Sequence, residues 1–258
     1  MECELIPLFS SSSGNATLVC CGDQSVLVDC GVSFTMLKKS METFNKRLGD
    51  IKAVFITHEH YDHVKGLGQL AKQISAPIYA TEGTIRALPA VARGAFVKPI
   101  EGKATAGRFC LTPEPTSHDA AQSVCYHIEV QNKHAAIVTD TGEITPGILS
   151  CMQGCDLVML ESNHDVKMLM SGPYPQFLKE RIRSARGHLS NDDCALNLAA
   201  LALKGLKKAV LAHISAKNNT PLIAKAATTA ALNMYGVPVG PGGLELFAAG
   251  SRAAILNF

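Results

Sequence analysis

The stretch THEHYDH, residues 57–63, sets three histidines and two acids within seven positions. At this composition the pattern H-x-H-x-D-H is expected by chance roughly 4 × 10⁻⁴ times, so it ranks with the short motifs of low false-positive risk. Imidazole and carboxylate together suit borderline divalent ions, and carboxylate adds affinity for harder ones such as Mn²⁺. His58, His60, Asp62 and His63 are therefore candidate metal ligands. The preceding DIKAVFI is a compact apolar run, and the following HVKGLGQLAKQI carries Val64, Leu67, Leu70, Ala71 and Ile74 on one helical face. The spacing predicts a buried strand giving way to a helix. The cluster would then stand at the carboxyl end of a sheet, where α/β folds place ligand sites.

Other chemically capable residues stand in the same relation to apolar runs. AAIVTDTG puts Asp140 just after a strand, AVLAHIS does the same with His213, and SVLVDCG with Asp29. His118 lies in the polar loop LTPEPTSHDA, and DLVMLESNHD turns Glu161, Asn163 and His164 toward the same end of the sheet. His188 in GHLSN is a candidate to protonate a leaving oxygen, whereas Ser190, three residues before Asp193, reads as a helix cap. Ser13, Gly14 and Asn15 form a tight turn whose hydroxyls and amides could meet a phosphate or simply close a hairpin. Asn218 and Asn219 combine a possible substrate contact with capping ahead of Pro221. His127 and His134 fall inside strand-like runs and read as structural.

These positions need a large scaffold. The chain has 258 residues, 47% of them hydrophobic, enough for one domain or two intimately packed halves. No run approaches the roughly 18 apolar residues of a membrane span. No basic and then apolar N-terminal segment announces export. Nine cysteines without a C-x₂-C pair fit reduced thiols, so the expected location is the cytoplasm. Early strands at 4–9, 17–21 and 25–29 precede a helix at 33–46. Three adjacent strand runs, RFCLTP, SVCYHIEV and HAAIVTD, are followed by another strand, at 156–162. Helices are predicted near 175–186, 190–204 and 221–234, with a strand at 208–215 and final strands after VPVGPGG. Two passes of strands, each followed by helices, predict an α/β sandwich with helices outside two central sheets.

Taken in order, Asp29, the His58–His60–Asp62–His63 motif, His118, Asp140 and His213 resemble the ligand set of the metallo-β-lactamase-fold metallohydrolases. LFSSSSGNATLV, PIYATEGT, TDTGEIT, LESNHDVKML, GHLSNDD and LAHISAKNNTP are similar to its YycJ/WalJ branch. One departure is Ser11, where that branch leads one to expect glycine. The resemblance implies a four-layer αββα sandwich formed as a single domain over residues 1–258. It also implies two divalent ions, Zn²⁺ or Mn²⁺. His58, His60 and His118 would hold one ion, with His164 the alternative to His118. Asp62, His63 and His213 would hold the other, and Asp140 would bridge them. Asp29 would orient a ligand imidazole.

The same resemblance implies DNA hydrolysis, as a 5′-to-3′ exonuclease using a bridging hydroxide for in-line attack on phosphorus. Asp62, Asp140 and His188 are then the expected catalytic residues. Net charge is only +2 and does not by itself indicate a nucleic-acid partner. The run KERIRSARGH, residues 179–188, is more telling, since Arg183 and Arg186 could follow a phosphate backbone or form a solvated face. The alternatives are an RNA-processing or thioester-type hydrolase of this fold, and a non-catalytic metal-dependent nucleic-acid-binding module.

Overall fold

The computed structural model describes residues 1–92, 96–249 and 254–258. Strands β1 (Cys3–Ser11), β2 (Gly14–Cys21) and β3 (Gln24–Val28) form an antiparallel meander. Parallel strands β4 (Ile51–Phe55), β5 (Ile78–Ala80) and β6 (Val97–Pro99) extend it on one side. The second sheet repeats this division. Strands β7 (Ala104–Ala106), β8 (Phe109–Pro115), β9 (Val124–Val130) and β10 (Lys133–Val138) are antiparallel neighbours. Strands β11 (Leu157–Glu161), β12 (Lys208–Ala212) and β13 (Glu245–Ala248) add to β10 in parallel. The C-terminal β14 (Leu256–Asn257) closes the free edge of β1.

Three apolar clusters define the layers. One lies between the sheets and combines Leu5, Val19 and Phe55 with Tyr126, Met159 and Val210. A second packs the outer face of the first sheet on α1 (Phe34–Thr43), α2 (Tyr61–Val64), α3 (Leu67–Leu70) and α4 (Glu82–Ala87). The third packs the second sheet on α5 (Pro146–Met152), α8 (Asn191–Leu203) and α9 (Pro221–Met234). Short helices α6 (Val166–Ser171) and α7 (Gln176–Arg183) stand between β11 and α8 in the chain. The order helix, sheet, sheet, helix follows from strands that are apolar on both faces, as in β2, where every residue is buried. Across the centre, Phe55 meets Tyr126 edge-on at 5.6 Å, and the Tyr126 hydroxyl donates to the Ile56 carbonyl at 2.8 Å. That buried hydroxyl locks the end of β4 to the opposite sheet.

The helix expected after the histidine motif is divided. The Gly66 N–H donates to the Cys30 carbonyl at 2.8 Å instead of continuing the helical ladder. Residue 31 must be glycine for this approach, because a Cβ there would lie 1.6 Å from the Asp62 carbonyl oxygen. Helix α7 also stops earlier than expected, at Arg183, and α5, α6, β6 and β7, each seven residues or shorter, add to the predicted elements. Ser11 ends β1 without positive φ, so serine suits the position where glycine was expected. No helix among the described residues is long and apolar enough to cross a membrane.

Candidate metal centre

The carboxyl ends of β3, β4, β10, β11 and β12 meet at one edge of the sandwich. Asp29 and His213 are the first residues past β3 and β12, Asp140 is the second past β10, and each has positive φ: 62°, 51° and 59°. The left-handed conformation turns the chain sharply, so that a side chain leaves the sheet edge and enters the site. For non-glycine residues this costs roughly 1–3 kcal/mol, a cost that surrounding contacts must offset. The contacts are present. Asp29 accepts from the Thr57 N–H at 2.8 Å, from the Thr57 hydroxyl at 2.9 Å and from His63 Nδ1 at 2.8 Å. It thereby joins the turn after β3 to the histidine motif after β4.

Donor atoms converge in overlapping groups. One atom from each of His58, His60 and His118 lies within 4.8 Å of the others, and the same holds for Asp62, His63 and His213 and for His58, His63 and Asp140. His118 Nε2 is 3.4 Å from His60 Nδ1. Asp140 stands between the groups, with Oδ2 at 3.3 Å from His63 Nε2, and Oδ1 at 3.5 Å from His213 Nε2 and 3.8 Å from His118 Nε2. His58 Nε2, His213 Nε2 and Asp140 Oδ2 are buried and make no hydrogen bond among the described residues. Buried polar atoms in native folds nearly always find partners. Three such atoms in one cluster of imidazoles and carboxylates fit a bound cation.

The remaining nitrogens are held from behind, as ligand imidazoles usually are. His118 Nδ1 donates to the Gly187 carbonyl at 3.0 Å. Glycine is required at 187, since a Cβ would lie 2.2 Å from the Arg181 carbonyl oxygen. Glu161 Oε1 accepts from both His213 Nδ1, at 2.9 Å, and His188 Nδ1, at 2.8 Å, while Oε2 accepts the Thr141 N–H at 2.9 Å. One carboxylate thus fixes a donor imidazole, the turn carrying Asp140 and the imidazole of His188. Burial would raise the Glu161 pKa, but the charge of His188 and its hydrogen bond outweigh burial and lower it to about 2. His188 is raised in return: burial opposes its charge, and Glu161 prevails.

Charge is distributed unevenly between the two triads. Burial pushes His58 well down and His118 down, so both are neutral and ready to donate lone pairs. Burial would do the same to His63 and His213, but Asp140 overrides it, holding His63 well up and His213 at about 10. Asp140 itself is held well below the carboxylate range, its burial outweighed by His213 and His63.

Asn15 closes the hairpin turn through Ser11 and also reaches the cluster, its Nδ2 lying 3.0 Å from His63 Nε2. Ser13 is exposed at the tip of that turn. Asn163 Nδ2 lies 3.2 Å from His213 Nδ1. His164 does not join His58 and His60: it is 2% exposed, has Nδ1 unpartnered, and its segment bridges to Ser190. Asn218, 1% exposed, makes no side-chain hydrogen bond to the donor cluster, and its neighbour Asn219 binds Asn191 and the Ser162 and Asn163 carbonyls. Ser190 caps α8 through Asp193, as the spacing predicts. In the basic run, Lys179 is buried against the Met170 carbonyl and Arg181 pairs with Asp119, leaving Arg183 and Arg186 exposed. Sequence reasoning missed Thr57 and the Gly187 carbonyl. The former stands inside THEHYDH, but a backbone oxygen has no sequence signal at all.

Residues 24–214 match the family described as Beta-lactamase superfamily domain, spanning every donor above. The chain belongs to the metallo-β-lactamase-fold superfamily. Its four layers and strand-end histidines and carboxylates are those expected of that fold, and it is a metal-dependent hydrolase using divalent ions. Within the superfamily it is similar to exodeoxyribonuclease YycJ of Bacillus anthracis, 34% identical over 238 residues and 90% of each chain. It is 33% identical over 222 residues to exodeoxyribonuclease WalJ of Streptococcus pneumoniae D39, covering 82% of this chain and 81% of the relative. The crystal structure of the metallo-β-lactamase-fold protein YhfI from Bacillus subtilis has the same fold, with a TM-score of 0.74 at 17% identity and full coverage of both chains.

Proposed function

We propose that this hydrolase is a dinuclear exodeoxyribonuclease, degrading DNA in the 5′-to-3′ direction with two Zn²⁺ or Mn²⁺ ions. The observation that carries the reading is the seven-residue donor set with its unpartnered inward atoms. The two relatives named exodeoxyribonuclease, matched over most of their length, support the substrate. His58, His60 and His118 hold one ion, Asp62, His63 and His213 the other, and Asp140 both. Paired divalent cations supply Lewis acidity, a lowered pKa for water, and stabilisation of both oxygens in an in-line displacement. Asp29 and Glu161 keep His63 and His213 oriented through Nδ1, so that their Nε2 atoms face inward. His188, its pKa raised by Glu161 against burial, has Nε2 free of hydrogen bonds among the described residues and 18% of its side chain exposed, as a proton donor to a leaving oxygen requires. Asn15 reaches the centre at His63, Ser13 is exposed at the tip of the same turn, and Arg183 at the end of α7 and Arg186 beyond it, which donates to the His118 carbonyl at 3.3 Å, are exposed positions suited to backbone phosphates.

The deciding assay gives metal-stripped protein end-labelled duplex DNA, single-stranded DNA and RNA, with Mn²⁺, Zn²⁺ and Mg²⁺ restored singly. Metal-restored shortening of DNA from its 5′ end is expected. Metal binding without cleavage of any polymer would transfer the reading to a small-molecule hydrolase.

Two further outcomes are expected. Because Asp140 outweighs burial and raises His213 to about 10, metal-stripped protein carries a proton there at neutral pH that an ion must displace. Metal affinity should therefore rise with pH toward that value, with protons released at neutrality. Calorimetry in buffers of different ionisation enthalpy measures the release; buffer-independent heats would refute it. Arg183→Ala and Arg186→Ala should each weaken DNA binding and lower the salt dependence by about one unit of slope. Unchanged binding across salt concentrations would reduce the pair to a solvated face.

A further inference from the structure

We infer that the outer face of the second sheet carries a separate divalent-cation site, formed by His127, Glu129 and His134. In the antiparallel register His134 is paired with Glu129, and His127 with Ala136. His127 and Glu129 are two residues apart on β9, so all three side chains share one face. It is the face turned away from the inter-sheet core, which takes Tyr126, Ile128 and Val130 from the same strand. One donor atom from each of the three lies within 4.8 Å of the others.

The imidazole geometry suits a shared ion. His127 Nδ1 donates to the Cys151 carbonyl at 2.8 Å, so that Nε2, once free of its proton, is the atom it would offer to an ion. That Nε2 faces His134 Nδ1 at 3.1 Å. Two imidazole nitrogens bound tetrahedrally to zinc at about 2.0–2.1 Å stand about 3.3–3.4 Å apart, so adjustment by a few tenths of an ångström would suffice. Glu129 is exposed and its carboxylate has no hydrogen bond or ion pair among the described residues, while the neighbouring Lys133 is engaged by Asp156 at 3.0 Å. A cavity of about 390 Å³, lined by His127 and Glu129 with Thr112 and Ser150, supplies an approach. Two nitrogens and a carboxylate favour Zn²⁺, Ni²⁺ or Cu²⁺ over Mg²⁺ or Ca²⁺. His134 and Asp140 lie near opposite ends of β10, about 20 Å apart at an extended rise, so the site is distinct from the catalytic centre. An ion there would join β9 to β10 across their turn.

The test is equilibrium dialysis of metal-stripped full-length protein against Zn²⁺ near neutral pH, with bound metal counted by mass spectrometry. His134→Ala should hold one ion fewer per chain than the unmodified protein and keep its hydrolytic activity. The difference is independent of how many ions the catalytic centre takes. Glu129→Gln, at an exposed position that folding does not require, should weaken binding of that one ion at least about tenfold. Equal metal content in all three proteins would overturn the site and leave the 3.1 Å contact as an imidazole–imidazole hydrogen bond.

Discussion

Asp140→Ala should lower metal-dependent DNA hydrolysis at least about a thousandfold, with bound metal falling below that of the unmodified protein. The magnitude follows from the several kcal/mol that metal ions contribute to stabilising transition-state charge, at 1.36 kcal/mol per tenfold in rate. The two oxygens of Asp140 face His63 on one side and His213 and His118 on the other. Removing it deprives both triads of charge. Alanine at φ 59° adds backbone strain of its own, so Asp140→Asn is the sharper variant, because asparagine tolerates the left-handed conformation. Asn keeps the turn and removes the charge. Metal content measured beside activity separates the two effects, and unchanged metal stoichiometry in both variants would refute a bridging role.

His188→Ala should lower kcat by about 10²–10⁴-fold, the usual range for a lost general acid, while metal content stays at the level of the unmodified protein. Loss of metal in this variant would make His188 a ligand instead. The pH dependence gives a second readout. A general acid works in its protonated form, and the His188 pKa is raised by Glu161 against the effect of burial. Activity should therefore persist through pH values where an ordinary imidazole has lost its proton, and decline only as pH rises through the elevated pKa. Glu161→Gln removes the charge responsible, so the alkaline decline should move to lower pH. The same variant frees His213 Nδ1 from its carboxylate, and metal affinity should fall about 10–100-fold. A profile unmoved by Glu161→Gln would separate His188 from proton transfer.

The apolar run of β4 and the donor spacing of THEHYDH are local properties, and both are legible in the order of residues. So are the strand-end positions of Asp140 and His213 and the Ser190 cap, because hydrophobic period and capping chemistry act over a few residues. The helix after THEHYDH was only partly legible. Its interruption depends on the Cys30 carbonyl, which lies more than thirty residues earlier and captures the Gly66 N–H. His118 and His164 carry the same chemistry in similar polar loops, and nothing nearby distinguishes them. Packing separates them in space: it seats the Gly187 carbonyl behind His118 and directs its Nε2 toward His60. Glu161 gains its three-way role only because β11 lies between β10 and β12 in the sheet. Residue types thus set which groups could bind metal or move a proton. Long-range strand order and loop contacts determined which of them share a site, since those contacts join segments that local periodicity cannot relate.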